Sequence, residues 1–147
     1  MTDIAFQATC VSIQGRGLLI TGPPGAGKSS LALALIDRGG VLIGDDSLLL
    51  RPQGDRVLAL PHPKTRGLIE VRNLGLIVFP VGDQAPIAMV VQLDDDAPRF
   101  VEQAMMRDLA GTKIPELSLW PHSPVLALRA EIALKRFGLP DYGIVDG

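Results

Sequence analysis

One cysteine and two histidines, His62 and His122, are all that a chain of 147 residues offers in the way of thiolate and imidazole metal ligands. The lone thiol, Cys10, cannot close an internal disulfide and has no second cysteine with which to build a zinc site, so a reducing, cytoplasmic setting is expected. Aromatic residues make up 4%, too few for a platform on which nucleic-acid bases stack. Lysine and arginine are outnumbered by aspartate and glutamate, leaving a net charge of -2; the clustered positive charge from which nucleic-acid or anionic-membrane binding starts is missing. No apolar run approaches the ~18 residues of a membrane span, and Met1-Thr2-Asp3-Ile4 lacks the basic start and long apolar stretch of a secretion signal. There are no repeats, low-complexity tracts or linkers.

What is present is apolar material for a core. With 47% hydrophobic and 20% charged residues, the chain is too hydrophobic for disorder, and its length suits one domain. Ile4 to Gln14 and Leu18 to Ile20, separated by Gly15-Arg16-Gly17, read as a hairpin. Leu31 to Ile36 reads as a helix stopped by Arg38-Gly39-Gly40. Val41-Leu42-Ile43 is a short buried strand running into Gly44-Asp45-Asp46. Ser47 to Arg51 and Arg56 to Leu60 flank a turn and form a second hairpin. Leu76 to Val81 and Ile87 to Leu93 are further strands, and a loop or short helix is predicted around Val101 to Leu109. Pro124 to Phe137 has apolar residues at helical spacing, with Gly138 and Pro140 beyond it. Two helices against seven or so strands argue for an α/β domain with a mixed sheet.

The chemistry concentrates in Gly22-Pro23-Pro24-Gly25-Ala26-Gly27-Lys28-Ser29-Ser30. Gly22, Gly27, Lys28 and Ser29 fit the pattern G-x4-G-K-[ST], which arises by chance in a chain of this size about once in a hundred. It follows an apolar strand and opens a helix, as its mechanism requires: glycines let backbone amides turn inward, and the helix N-terminus adds positive potential. Lys28 would reach the β- and γ-phosphates of a nucleotide and Ser29 would ligate Mg²⁺. The rival reading is a Gly/Pro-rich turn that happens to hold a lysine.

Asp45 and Asp46 suit two further needs of phosphoryl transfer, a metal anchor and a base for the attacking hydroxyl. If the strand continued through them they would point to opposite faces, so that at most one enters the metal shell directly. Glu70 and Arg72 are spaced to share one face of a strand, which by itself suits a solvated surface. Asp108-Leu109-Ala110-Gly111 matches the short D-x-x-G element of GTPases, with no N-K-x-D guanine element to accompany it. The two histidines, each beside proline, read as surface residues.

Three segments together resemble the catalytic domain of HPr kinase/phosphorylase, which phosphorylates a serine of the phosphocarrier protein HPr. They are Gly15 to Thr21 leading into Gly22 to Ser29, Arg38-Gly39 to Asp46, and Arg66-Gly67-Leu68-Ile69-Glu70-Val71-Arg72-Asn73-Leu74-Gly75. The last is the most specific to the family. The resemblance is good over residues 4 to 80 and thinner beyond, and it is to the short form found in alphaproteobacteria. It implies a phosphoenolpyruvate-carboxykinase-like P-loop fold, one catalytic domain over residues 1 to 147 without the N-terminal domain of longer members, and an ATP- and Mg²⁺-dependent protein serine kinase acting on HPr. Residues 22 to 30 would hold the nucleotide, and Ser29, Asp46 and Glu70 the Mg²⁺. Asp45 would take the serine proton, with Lys28, Asp46 and Arg72 completing the catalytic set. The family's reverse reaction is phosphorolysis of phosphoserine by inorganic phosphate. A homo-oligomer would cover the edge strands of so small a domain.

Two positions depart from the family. Gln7 stands where a histidine assists the catalytic carboxylate, and Trp120-Pro121-His122-Ser123-Pro124 replaces a loop that carries a Gly-Arg-Asn element. Both departures keep open a catalytically weak sensor of nucleotide or phosphate that regulates a phosphotransferase or two-component system. A P-loop small-molecule kinase is the third reading, although the arginine-rich lid of that class has no counterpart here.

Overall fold

The computed structural model describes residues 3–140. They form, in order, β1 (Ile4–Phe6), β2 (Thr9–Ile13), β3 (Arg16–Thr21), α1 (Lys28–Asp37), β4 (Val41–Gly44), β5 (Leu48–Gln53), β6 (Arg56–Pro61), β7 (Leu68–Val71), β8 (Gly75–Val78), β9 (Ala85–Leu93), β10 (Met105–Leu109), β11 (Thr112–Leu119) and α2 (Leu126–Phe137). The main sheet runs β1-β5-β6-β9-β3-β2-β4, with β11 joined to β9 and β10 to β11; β7 and β8 form a separate hairpin. The sheet is mixed, as the sequence predicts: β9 lies parallel to β3 and β11, and the remaining named pairs are antiparallel.

The core has two sides because β3 and β9 are covered on both faces. Leu18 and Ile20 of β3 pack with α1 and α2, whereas Leu19 turns to the opposite cluster around Ile43, Leu50 and Val90. Such double burial explains why β9 is nearly continuous apolar sequence with no polar alternation. Its period slips once: the register with β3 shifts between Gly17 and Leu18, so that Ile87 joins one cluster and both Ala88 and Met89 the other. Cys10 is fully buried in the first cluster, and that burial pushes its thiol pKa up to about 12.

Helix α1 buries Leu31, Ala32 and Leu35, and each of the two leucines contributes about 1.5–3 kcal/mol by leaving water. It ends in a Schellman arrangement: Gly39 N–H donates to Ile36 O at 3.0 Å and Gly40 N–H to Leu35 O at 2.8 Å, with Gly39 left-handed at φ 103°. Arg38 is the C-cap residue; its guanidinium bonds Glu131 of α2 at 2.8 Å. Arg16 similarly closes α2, donating to Leu134 O at 3.0 Å and Leu139 O at 2.9 Å.

Several strands depart from expectation. The segment Ile4 to Gln14 is not one strand, because β1 leaves β2 to pair with β5, where Arg51 holds Asp3 at 2.7 Å and lowers its carboxyl pKa. The hairpin is β2 with β3. Residues 105–109, predicted as loop or helix, form a strand tied across its ladder by Arg107 and Glu116 at 3.0 Å. Pro115 concealed β11, since proline cannot serve a two-sided ladder. The chain accommodates it by pairing Pro115 with β10 alone and starting the β9 ladder at Glu116. Strand β8 stops at Val78, short of the predicted Val81, which makes only a single bridge to Leu42. No described helix is long and apolar enough to cross a membrane.

Candidate active site

The glycine-rich loop leaves the end of β3 against the neighbouring strand. A Cβ on Gly22 would lie 3.2 Å from Leu93 O and 3.2 Å from Ala26 Cβ, and its φ is 155°, so tight packing and backbone conformation together favour glycine there. At Gly25 and Gly27 the conformation acts alone. Both are left-handed, with φ of 79° and 103°, and a Cβ on either would meet nothing within 4 Å; the backbone conformation selects glycine and leaves open space in front of the loop. Gly27 caps α1 without a side-chain bond, and the first turn has no acidic residue. The first amides of the helix therefore lack intrahelical partners, and its positive end faces the open space. Lys28 Nζ folds back over the loop, donating to Gly22 O at 2.9 Å and Pro23 O at 3.1 Å.

Strand β4 delivers the carboxylates. It stops at Gly44, and Asp46 is left-handed at φ 62°, a conformation that Asp tolerates better than most residues. The two side chains are thus separated by a turn, and not by strand alternation as their adjacency suggested. The half-buried Asp45 accepts from Ser29 Oγ at 2.8 Å and 2.9 Å, one distance to each carboxylate oxygen. Thr9 Oγ1, in a fully buried residue of β2, donates to Asp45 at 3.0 Å and accepts from Asp46 N–H at 3.2 Å. One hydroxyl therefore holds the Asp45 carboxylate and the Asp46 backbone. Thr9 was not among the residues picked from sequence, and a threonine within an apolar strand carries no signal that would have singled it out.

The third part is the β7-β8 hairpin. Ile69 is fully buried and pairs with Ile77, whereas Glu70 faces outward. Arg72 lies past the end of β7, in the turn, so it does not share a strand face with Glu70 as its spacing suggested. Both nevertheless line the same cavity of about 960 Å³ as Gly22, Pro24, Gly25, Gly27 to Ser30, Asp45 and Asp46. Gln7 lines it too. Pro23 and Ala26 face a second cavity on the other side of the loop. Asp108 to Gly111 is a structural turn between β10 and β11: Asp108 accepts from Gly111 N–H at 3.0 Å, and Ala110 and Gly111 have positive φ. Both histidines lie in loops outside the first cavity.

Among the described residues no three Asp, Glu, His or Cys side chains converge as a cage for a metal ion. The hard oxygens of Ser29, Asp46 and Glu70 line one cavity but leave most of a coordination shell to other ligands. That suits Mg²⁺, which commonly takes one or two carboxylates and completes its shell with water and phosphate oxygens. The hydrogen bond from Ser29 to Asp45 also fits, because it engages the serine proton and leaves the oxygen lone pairs available.

Comparison with known proteins gives this arrangement a context. Residues 2–124 match the sequence profile of the HPr Serine kinase C-terminal domain. The HPr kinase/phosphorylase of Exiguobacterium sp. strain AT1b is 33% identical over 155 residues, covering 95% of this chain and 50% of that protein. That of Mycoplasmopsis pulmonis is 33% identical over 129 residues, covering 79% and 42%. The chain spans about half the length of these curated relatives. Among solved structures, the Hpr(Ser) kinase/phosphatase from Coxiella burnetii matches with a TM-score of 0.78 at 25% identity, covering 89% of this chain and 88% of that one. The profile match over most of the chain, on a mixed α/β domain of the same fold, makes this protein a member of the HPr serine kinase C-terminal domain family.

Proposed function

We propose that this protein is an ATP- and Mg²⁺-dependent protein serine kinase that phosphorylates HPr. The observation that carries this reading is the single cavity shared by the glycine-rich loop, Lys28, Ser29, the paired aspartates, Glu70 and Arg72. The left-handed glycines and the uncapped start of α1 provide for an anion. In the working enzyme Lys28 turns from the loop carbonyls to the phosphates. Ser29, Asp46 and Glu70 would hold Mg²⁺, which neutralises charge on the phosphate oxygens when bound. Asp45, fixed by Thr9 and Ser29, accepts the proton of the HPr serine as its oxygen attacks the γ-phosphorus and ADP departs. Arg72 serves the phosphate or phosphoprotein side. Run backward with inorganic phosphate as nucleophile, the same groups would release pyrophosphate from phosphoserine-HPr, with Asp45 returning the proton. A cytoplasmic setting is proposed from the lone cysteine, a likeness to the alphaproteobacterial form from the matching segments, and assembly into an oligomer from the edge strands of a small domain.

Gln7 supports a second reading. An amide on the cavity wall can neither accept nor relay a proton as the family's histidine would, which favours a weakly catalytic sensor of nucleotide or phosphate. One experiment separates the two. Incubation with labelled ATP, Mg²⁺ and HPr transfers label to a serine of HPr if the protein is a kinase, and retains nucleotide without transfer if it is a sensor. Phosphate transfer to a metabolite and not to HPr would overturn both.

A further inference from the structure

We infer that Gln92 is a positioning residue for the proposed reaction, acting through Thr21 to set the grip of the glycine-rich loop on phosphate; this rests on the kinase reading above. Strand β9 is buried on both faces, and its side chains from Ala85 to Leu93 are apolar with the single exception of Gln92. A polar amide in such a strand is costly unless it is hydrogen-bonded. Strand β3 follows the same pattern: Leu18, Leu19 and Ile20 are fully buried, and Thr21, at its end, is 9% exposed. The two polar residues meet. Thr21 stands opposite Gln92 in the parallel ladder, and Thr21 Oγ1 donates to Gln92 Oε1 at 2.6 Å, whereas Val91 O lies 3.4 Å from the same hydroxyl.

This pair falls on the last residue of β3 before the loop. The next residue, Gly22, sits so close to β9 that a Cβ on it would lie 3.2 Å from Leu93 O. Two consecutive residues at the exit of β3 are thus tied to two consecutive residues at the exit of β9, one by a side-chain hydrogen bond and one by packing. Beyond them the loop is held by its own turn, in which Ala26 N–H donates to Pro23 O at 3.1 Å, and a Cβ on Gly25 or Gly27 would meet nothing within 4 Å. The Gly22 carbonyl that accepts from Lys28 Nζ at 2.9 Å follows directly from this anchor. Groups that receive a phosphate chain act best when they are fixed beforehand, and at the entry to the loop Gln92 does the fixing. Gln92 also borders the second cavity, so a direct contact with the nucleoside is the rival explanation of any effect it has on ATP.

Calorimetry with ATP and with inorganic tripolyphosphate, each with Mg²⁺, reads the grip with and without a nucleoside. Gln92→Leu and Thr21→Val should each weaken both ligands about tenfold and in the same proportion, and Thr21→Ser, which keeps the hydroxyl, should bind both as wild type does. The double variant Thr21→Val/Gln92→Leu puts an apolar group on each side, so its melting temperature should stay near that of wild type, while its affinities should match those of the single variants and fall no further. In HPr phosphorylation the loss should appear mainly as a raised KM for ATP. Loss of ATP affinity alone would make Gln92 a nucleoside contact and overturn the positioning role. A double variant that binds both ligands as tightly as wild type would overturn it too, leaving the pair a feature of packing. A wild-type protein that binds both ligands, responds to these substitutions as expected and transfers no phosphate to HPr would overturn the kinase reading and leave Gln92 as the residue that sets the loop; one that binds neither ligand would overturn both.

Discussion

Ser29 Oγ lies 2.8 Å from one carboxylate oxygen of Asp45 and 2.9 Å from the other, joining the first turn of α1 to the end of β4. Asp45 is thereby held beside the proposed metal position by a residue that would itself be a ligand, whereas the neighbouring Asp46 is left exposed in the cavity. Asp45→Asn is therefore expected to lower turnover at saturating Mg²⁺, and Asp46→Asn to raise the Mg²⁺ concentration needed for half-maximal rate. Titrating metal against HPr phosphorylation checks both. The opposite pattern would exchange the two roles.

Thr9 Oγ1 fixes the carboxylate of Asp45 and the backbone N–H of Asp46. Replacing it with valine keeps the shape but leaves the Asp46 amide without that acceptor, at a cost to stability of about 1–3 kcal/mol. Turnover should fall while KM for ATP stays near the wild-type value, and Thr9→Ser should restore it. A valine variant with full turnover would remove Thr9 from the positioning role.

Lys28→Ala should abolish most phosphoryl transfer, since loss of one preorganised charge contact at a developing transition state costs roughly 3 kcal/mol or more. Its present partners are the carbonyls of Gly22 and Pro23, which are solvated easily, so the melting temperature should change little. Near-normal labelling of HPr by this variant would sink the mechanism.

Gln7 faces the same cavity as Asp45. Gln7→His is predicted to raise the rate of HPr phosphorylation, most at a pH where the new imidazole is neutral and able to accept a proton. An unchanged rate across pH would mean that the amide is not what limits the enzyme.

Cys10 carries a pH signature of the core. Its thiol pKa is about 12 in the folded chain against an ordinary 9.0, because burial disfavours the thiolate. A folded-state pKa raised in this way gives stability that is fully present below 9.0 and is lost as pH rises from there toward 12. Urea midpoints should decline over that window, and less so for Cys10→Ala measured against its own value at neutral pH. Thiol reagents should label Cys10 at pH 8 only after unfolding.

Much of the candidate site was legible because its determinants are local. The loop from Gly22 to Ser29, the helix it opens, the glycines that end that helix and the acidic pair after the next strand each follow from backbone permissiveness, capping and short-range apolar pattern. Glu70 and Arg72 were legible only through family resemblance. Their i, i+2 spacing described a strand face that ends one residue too early, at Val71.

What the tertiary structure alone decided is how distant pieces meet. The departure of β1 to β5, the strand pairing that captures residues 105–109, the tolerance of Pro115 at a place where only one neighbour needs bonds, and the bridging hydroxyl of Thr9 all depend on partners remote in sequence. Such pairings leave no periodicity of their own in the chain. The same holds for the functional geometry: the glycine-rich loop and the two carboxylates are local motifs that the order of residues specifies without help from distant partners. Only the packing of β4 beside β2, and of β9 and β11 on the other flank of β3, decided that Asp45 faces Ser29 and that a second cavity opens behind the loop.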